Sequence, residues 1–327
     1  DVDRIAIPYD AYYYPFKFMW KMGKEYISMK KRDWNNKANI KSSTLHIVEI
    51  ASTRTPSVMK KVISEGLIQH KIMGKVPPIE FVDHHLCHAI TASYYSGFKS
   101  ALVLIVDGSG ESNCTTLYDY NDGDLKLLEK YEIPDSLGWF YAGITEYLGF
   151  QPYRSEGQTM GLAPYGKRND EIIRKLTKIV NISKEKYSVA PEYLLAGKHT
   201  YGLHFSDLMV ELLGFPRHPS EPILDIHKNI AWTAQYILEE CVKKIIDNAI
   251  RKYGKNNICL AGGVAMNCKM NGSIANETLS EDIFVFPAAG DAGSSLGAAC
   301  YISGDEAKIN RKILDHTYYG PSFSPDE

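Results

Sequence analysis

Apolar and polar positions follow two patterns along this chain, one typical of strands and one typical of helices. A continuous apolar run at residues 101–106 predicts a strand buried at the centre of a sheet. Residues 113–120 and 125–133 predict two further strands, joined by the turn signal Asn121-Asp122-Gly123-Asp124. The predicted order is therefore strand, glycine-rich turn, strand, hairpin and strand.

Helical spacing of apolar residues is clearest over 225–253, and Gly254 follows as a stop signal. Other segments predict helices over 57–74, 84–95, 138–148, 169–180 and 294–302, and strands over 5–7, 79–82, 257–261 and 283–286. Residues 12–34 are aromatic and basic, and we expect a helical insertion there. Residues 181–222 contain proline and no regular pattern, so we expect an irregular, peripheral insertion.

Composition narrows the functional classes. The chain has 327 residues, 44% of them hydrophobic and 23% charged, which is typical of a globular protein of about two domains. Its net charge of −2 argues against non-specific binding to nucleic acid or to an anionic membrane. We find no apolar run near the ~20 residues of a membrane span and no secretory leader. With six cysteines and no C-x-x-C pair, we expect a reduced, cytoplasmic protein.

The first group of residues with candidate chemistry is a histidine pair. His84 and His88 are spaced i, i+4, which places both imidazoles on one face of the predicted helix, where they can ligate one divalent metal. The alternative is a polar helix start with surface histidines. His85 points about a quarter-turn away. Asp107 ends a buried strand and needs a partner or an ion, which favours the metal interpretation.

Glycine-rich turns follow several strands. Residues 107–111 (DGSGE) predict either a backbone nest for phosphate or a tight hairpin with a bulge. At Gly262-Gly263 a strand enters a helix, as in nucleotide-binding turns, although close packing also uses glycine there. Asn267 could bond a ribose or a base. Asp291 could be a helix cap or a further metal ligand, and we predict a shaped loop over 155–166.

Five blocks, taken in order, resemble one enzyme family. They are DHHLCHA at 83–89, LIVDG at 104–108, MGLAPYG at 160–166, LAGGVAMNC at 260–268 and PAAGDAG at 287–293. In these blocks the chain is similar to the NodU/CmcH-type carbamoyltransferases, a family that includes tobramycin carbamoyltransferase. Five blocks in family order are far more specific than any one of them.

This resemblance implies a two-lobed α/β fold of the actin, Hsp70 and sugar-kinase type (ASKHA). Residues 1–100 would complete the first lobe with the histidine helix, 101–317 would form the nucleotide-binding second lobe, and 318–327 would be a linker. The resemblance also implies that the family's first N-terminal strand and its YrdC-like C-terminal domain are missing, so we expect a core that is inactive alone. The first residue, Asp1, is not methionine, which fits a piece of a longer protein.

The resemblance further implies an O-carbamoyltransferase. Carbamoyl phosphate and ATP form carbamoyl-adenylate in the YrdC-like domain, and a hydroxyl of a small-molecule acceptor then attacks the carbamoyl carbon in the core. A divalent metal, Fe²⁺ first and Mn²⁺ or Mg²⁺ next, would be held by His84, His88, Asp107 and Asp291. The predicted nucleotide and donor contacts are Gly108, Ser109, Gly110, Glu156, Gly157, Gly161, Gly262, Gly263, Asn267 and Gly290. Candidate general bases are a metal-bound water, His85, which we rank first, and Glu111.

Three other functions stay open at this point. A tRNA threonylcarbamoyl transferase shares the histidine spacing but usually carries Glu-Gly between the histidines, where this chain has His85-Leu86-Cys87. A sugar or acetate kinase relative would use the glycine turns but needs no histidine pair. A non-enzymatic nucleotide-binding module would bind the nucleotide without turnover.

Overall fold

The computed structural model describes residues 2–12, 53–194 and 203–324. The helical insertion expected over 12–34 lies outside these ranges apart from Tyr12. The described strands are β1 (Ile5–Ile7), β2 (Ile79–Phe81), β3 (Ser100–Gly110), β4 (Asn113–Asn121), β5 (Asp124–Glu132), β6 (Val180–Ile182), β7 (Tyr187–Val189), β8 (Asn257–Ala261) and β9 (Asp282–Val285).

The described helices are α1 (Pro56–Gln69), α2 (His84–Tyr94), α3 (Leu137–Tyr147), α4 (Glu156–Leu162), α5 (Asp170–Leu176), α6 (Asp207–Leu213), α7 (Asp225–Tyr253), α8 (Cys268–Glu277), α9 (Asp291–Ser303) and α10 (Asp305–Ile309). Two short 3₁₀ helices cover Ala163–Tyr165 and Gly263–Met266. The bounds predicted for β1, α7 and β8 are confirmed. Within the described residues, no helix is long and apolar enough to cross a membrane.

A five-stranded mixed sheet organises the molecule, in the order β5-β4-β3-β8-β9. Strands β3, β4 and β5 are antiparallel neighbours, whereas β8 and β9 run parallel to β3. The predicted hairpin turn is confirmed, with Asp122 and Gly123 at φ +45° and +99°, a pair of positive angles that suits a tight two-residue turn. Strands β1 and β2 form a separate parallel pair. The α/β class is thus confirmed, while the arrangement into two similar lobes stays a prediction.

Strand β3 is buried on both faces, as its continuous apolar run predicts. Leu102, Leu104 and Val106 face the larger core, which is filled by α3, α7 and their neighbours. The alternate residues Ala101, Val103 and Ile105 face a second core against α2. Helices therefore cover both sides of the sheet, and the end of β3 lies between them.

Two segments differ from their predictions. The prediction of an irregular, peripheral segment over 181–222 is wrong for its described residues, because β6 and β7 pair there and Tyr187, Phe205 and Met209 are buried in the larger core. The loop predicted over 155–166 is also wrong, since α4 and a 3₁₀ turn occupy it. The glycines of this segment disfavour a helix, since each costs about 1 kcal/mol relative to alanine in a helix. The helix forms because tertiary packing outweighs this cost: buried Thr159 packs α4 onto α3, and its hydroxyl donates to Thr145 at 3.0 Å.

Candidate metal centre

Four side chains from three elements meet at one end of the sheet. One donor atom from each of His84, His88, Asp107 and Asp291 lies within 4.8 Å of the others. Both histidines lie on the first two turns of α2, which Asp83 caps by accepting the backbone N–H of Leu86 at 2.7 Å. The four residues that the family resemblance implies as ligands are therefore adjacent in space.

The spacing of these donors suits a metal ion. The two Nε2 atoms of His84 and His88 are 3.1 Å apart, and the carboxylate oxygens of Asp107 and Asp291 lie 3.2–3.8 Å from them. Donors about 2.1 Å from a shared ion lie ~3.0 Å apart in an octahedron and ~3.4 Å apart in a tetrahedron. Two imidazoles and two carboxylates thus fit a divalent transition metal without a large rearrangement.

Two of the four side chains, His84 and Asp107, are oriented by a second group. His84 Nδ1 lies 3.0 Å from the carbonyl oxygen of Pro8, to which it donates, so Nε2 is left to face the cluster. Asp107 Oδ1 accepts the backbone N–H groups of Gly108 at 2.7 Å and Gly263 at 3.1 Å, so Oδ2 is left to face the histidines. Both ligands are held by outer contacts of the kind that metal sites need.

Asp107 lies at an irregularity in β3. The pairing of β3 with β4 shifts register between Val106 and Gly110, which is a bulge that re-aims the side chains there. Ser136, the residue before α3, donates its hydroxyl to the carbonyl of Gly108 at 2.6 Å and accepts the N–H of Trp139. This register shift agrees with the bulge alternative for residues 107–111, and the Ser136 hydroxyl supports the turn, while the phosphate nest stays a prediction.

Helix α9 brings Asp291 to the histidines because it packs closely on α2. A Cβ at Gly297 would lie 1.9 Å from the carbonyl oxygen of Cys87, so only glycine fits at this crossing. Thr91 of α2 also donates its hydroxyl to the carbonyl of Gly293 at 3.1 Å. The Asp291 side chain is 78% exposed, whereas the side chains of His84, His88 and Asp107 are at most 12% exposed. The cluster is thus open to solvent on the Asp291 side.

Without a metal, the carboxylates stabilise a proton on this cluster. Burial lowers the pKa of His84, but hydrogen bonds to Asp107 and Asp291 outweigh it and raise the pKa to about 11. Burial raises the pKa of Asp107, but the histidines bring it well below its usual range. Hydrogen bonds from both histidines also lower the pKa of Asp291. A cation is therefore favoured at this point.

The two predicted bases lie behind the cluster. His85 is fully buried, its Nδ1 lies 2.8 Å from the hydroxyl of Thr116, and burial lowers its pKa to about 3. Glu111 is 5% exposed and accepts the backbone N–H of Asp10 at 2.7 Å. Burial, with repulsion from Asp83, raises the pKa of Glu111 to about 7. Neither side chain has an open face for a substrate hydroxyl, which counts against both as bases.

Several predicted nucleotide contacts have another role in this structure. The N–H groups of Gly108 and Gly263 donate to Asp107 rather than facing an open cradle. Gly110 makes room for the histidines, since a Cβ there would lie 2.5 Å from His84 Cδ2. Gly262, at φ +92°, turns the chain where a Cβ would meet the carbonyl of Val106 at 2.3 Å. In this structure these glycines therefore shape the cluster of two histidines and two aspartates and the turns beside it.

Asn267 is occupied by structural bonds. Its Oδ1 accepts the N–H of Met270 at 2.9 Å, which caps α8, and its Nδ2 donates to Gln235 at 2.9 Å. Gln235 is 2% exposed and also accepts the hydroxyl of Tyr141. The interpretation of Asn267 as a ribose or base ligand is not supported by this geometry. Glu156 is likewise engaged locally, since its carboxylate accepts the backbone N–H of Tyr153 at 2.6 Å.

The remaining nucleotide predictions stay predictions. Ser109, Gly157 and Gly161 are exposed, and a Cβ at either of the two glycines would meet nothing within 4 Å. Gly290 lies beside the sulfur of Met266, immediately before Asp291. The sequence interpretation missed Pro8, Thr116, Ser136 and Gln235. Of these, only Ser136 carried a local signal, as a cap before an apolar helical run.

Comparison with known proteins now decides the family. A family model described as "Carbamoyltransferase N-terminus" matches residues 4–300, which includes all four residues of the cluster. The chain belongs to this carbamoyltransferase family. The resemblance inferred from the five sequence blocks is thereby confirmed.

Curated relatives of this carbamoyltransferase-family chain agree. Uncharacterized protein sll1178 of Synechocystis is 33% identical over 280 residues, which is 83% of this chain and 44% of that protein. Nodulation protein NolNO of Sinorhizobium fredii is 32% identical over 81% of this chain and 38% of its own length. Nodulation protein NolO of Bradyrhizobium diazoefficiens is 32% identical over 75% of this chain and 43% of its own length. The chain spans less than half the length of these relatives.

Proposed function

We propose that this chain is the acceptor-binding core of an O-carbamoyltransferase with a two-lobed, actin-like fold. The donor is carbamoyl-adenylate, made from carbamoyl phosphate and ATP in a YrdC-like domain of the longer protein, and the acceptor is a hydroxyl of a small molecule. The observation that carries the proposal is the cluster of two imidazoles and two carboxylates within a chain of the carbamoyltransferase family.

The chain's own residues supply binding and orientation. His84 and His88 present Nε2, and Asp107 presents Oδ2, from positions that are already fixed. Asp291 closes the set from the exposed side, where donor and acceptor can enter. A bound divalent cation would polarise the carbamoyl carbonyl and stabilise negative charge on its oxygen. In the transfer, the acceptor oxygen bonds to the carbamoyl carbon, AMP leaves, and the hydroxyl proton passes to a base.

Calorimetric titration tests the shared site. We would titrate Mn²⁺ and then ADP or ATP into the wild-type chain and into His84→Ala and Asp291→Ala. Loss of a ligand or of its support typically weakens metal binding by at least about tenfold, and we expect nucleotide binding to weaken with it. Asp305→Ala is the matched control, because Asp305, like Asp291, is the first residue of a helix but does not belong to the cluster.

The outcomes separate the alternatives. Mn²⁺-dependent nucleotide binding that is weakened in both ligand variants but not in Asp305→Ala supports the proposal. Nucleotide binding that depends neither on Mn²⁺ nor on the two ligands contradicts it and favours a kinase-like or nucleotide-binding module. Transfer of labelled carbamoyl phosphate to hydroxylated acceptors by the longer protein, with ATP, then tests the reaction itself.

A further inference from the structure

Glu111 joins three segments that meet at the histidine helix. It lies in the turn between β3 and β4, with φ +47°, and it is 5% exposed. Its Oε1 accepts the N–H of Asp10 at 2.7 Å, across 101 residues of sequence. The backbone N–H of His84, at the start of α2, also faces this carboxylate. A side chain held in this way has a positional role that a solvent-facing carboxylate lacks.

The segment that Glu111 holds is the one that orients His84. Asp10 lies two positions after Pro8, whose carbonyl accepts a hydrogen bond from His84 Nδ1 at 3.0 Å. This segment follows β1, a strand of three residues that pairs only with the equally short β2 among the described residues. The bond between Glu111 and Asp10 is therefore one of the hydrogen bonds that tie residues 8–10 to the rest of the protein, together with the bond from His84 to Pro8.

We propose that Glu111 is a positioning residue, which holds the Pro8 carbonyl against His84 Nδ1 and so keeps Nε2 aimed at the metal cluster. The inference rests on the proposed metal centre and assigns Glu111 a role other than general base. Its Oε1 is engaged by Asp10, and its Oε2 is enclosed without a hydrogen-bond partner among the described residues, so no acceptor hydroxyl reaches it.

The test compares Glu111→Ala with Glu111→Gln. A glutamine oxygen can accept the same N–H of Asp10 but cannot act as a base, so it separates the two roles. Glu146→Ala is a matched control, because Glu146 also accepts the N–H of a distant residue, His204, but lies outside the cluster.

The first readout is the His84 ring proton in the metal-free, ¹⁵N-histidine-labelled protein. A slowly exchanging Nδ1–H signal, assigned by its loss in His84→Ala, is expected in the wild type, in Glu111→Gln and in Glu146→Ala, and it is expected to be lost in Glu111→Ala. The second readout is Co²⁺ binding by visible absorption. We expect Glu111→Ala to weaken Co²⁺ binding about 10- to 100-fold and Glu111→Gln to remain near the wild type.

The outcomes distinguish this inference from the proposed function. If Glu111→Ala keeps both the ring-proton signal and the wild-type Co²⁺ affinity, the positioning role is refuted. If Glu111→Gln keeps both signals but abolishes carbamoyl transfer by the longer protein, Glu111 acts as a base, and the inference that its role is positioning rather than general base is refuted. If the ring-proton signal follows the expected pattern but the wild-type protein binds no Co²⁺, the positioning stands and the proposed metal centre fails.

Discussion

Replacing Gly110 with alanine should displace His84 from the proposed metal site, although none of the four cluster residues is itself replaced. A Cβ at residue 110 would lie 2.5 Å from His84 Cδ2, 2.8 Å from His84 Cβ and 2.7 Å from His85 Cδ2. Because carbon atoms pack at about 3.5–4.0 Å, His84 would have to retreat by about 1 Å. Metal–ligand distances tolerate about 0.2 Å, so the ring would leave its position as a ligand.

We expect Gly110→Ala to lower Mn²⁺ affinity about 10- to 100-fold, as loss of a supporting group does, and to lower the free energy of unfolding by about 1–3 kcal/mol through overpacking. The assays are calorimetric titration with Mn²⁺ and urea denaturation. Gly108→Ala is the control from the same turn, since its Cβ would meet Trp139 at an ordinary 3.4 Å.

Wild-type Mn²⁺ affinity in Gly110→Ala would refute the packing argument. If Gly108→Ala and Gly110→Ala instead weakened nucleotide binding equally and left Mn²⁺ binding intact, the turn would be a phosphate cradle, as the sequence pattern also allowed.

Three further predictions concern the same region. The carboxylates raise the pKa of metal-free His84 to about 11, so a metal must displace a proton, and Mn²⁺ affinity should rise about tenfold per pH unit between about pH 6 and 8. Calorimetry in buffers of different ionisation enthalpy should show that about one proton is released when Mn²⁺ binds. A pH-independent Mn²⁺ affinity would contradict this prediction. Asn267→Ala should lower the free energy of unfolding, measured by urea denaturation, by about 1–3 kcal/mol, because α8 loses its cap and Gln235 loses a buried partner. Unchanged stability with weakened nucleotide binding would instead support a ribose contact. Gly297→Ala should lower the free energy of unfolding by about 3 kcal/mol and weaken Mn²⁺ binding, since its Cβ would meet the carbonyl of Cys87 at 1.9 Å. The control Gly272→Ala, whose Cβ would meet nothing within 4 Å, should be neutral or stabilising by up to about 1 kcal/mol. Equal effects of the two substitutions on thermal unfolding would argue against the close helix crossing.

Much of the fold follows from local pattern. The apolar run that forms β3, the Asn121–Asp124 turn and the long stripe of α7 each specify their own element, because strand and helix periods are properties of neighbouring residues. The segments around residues 160 and 187 were misjudged for the opposite reason. Glycine, proline and polar residues gave no period there, and only packing onto α3 and α7 ordered them.

For the proposed metal site, the sequence by itself determined the types of the candidate ligands. The His84–His88 spacing, an aspartate at the end of a buried strand, and five family blocks in order were enough to name the four residues that the structure brings together. Imidazole and carboxylate chemistry does not depend on the fold, so residue identity carries this part of the answer.

Only the tertiary structure decided what each neighbouring residue does. Gly108 and Gly263 donate to Asp107, Gly110 admits His84, and Glu111 reaches Asp10 across 101 residues. A glycine that approaches phosphate and a glycine that approaches a histidine ring are the same letter in a sequence. Their roles differ because of which atoms lie a few ångströms away, and those atoms belong to segments that only the folded chain brings together.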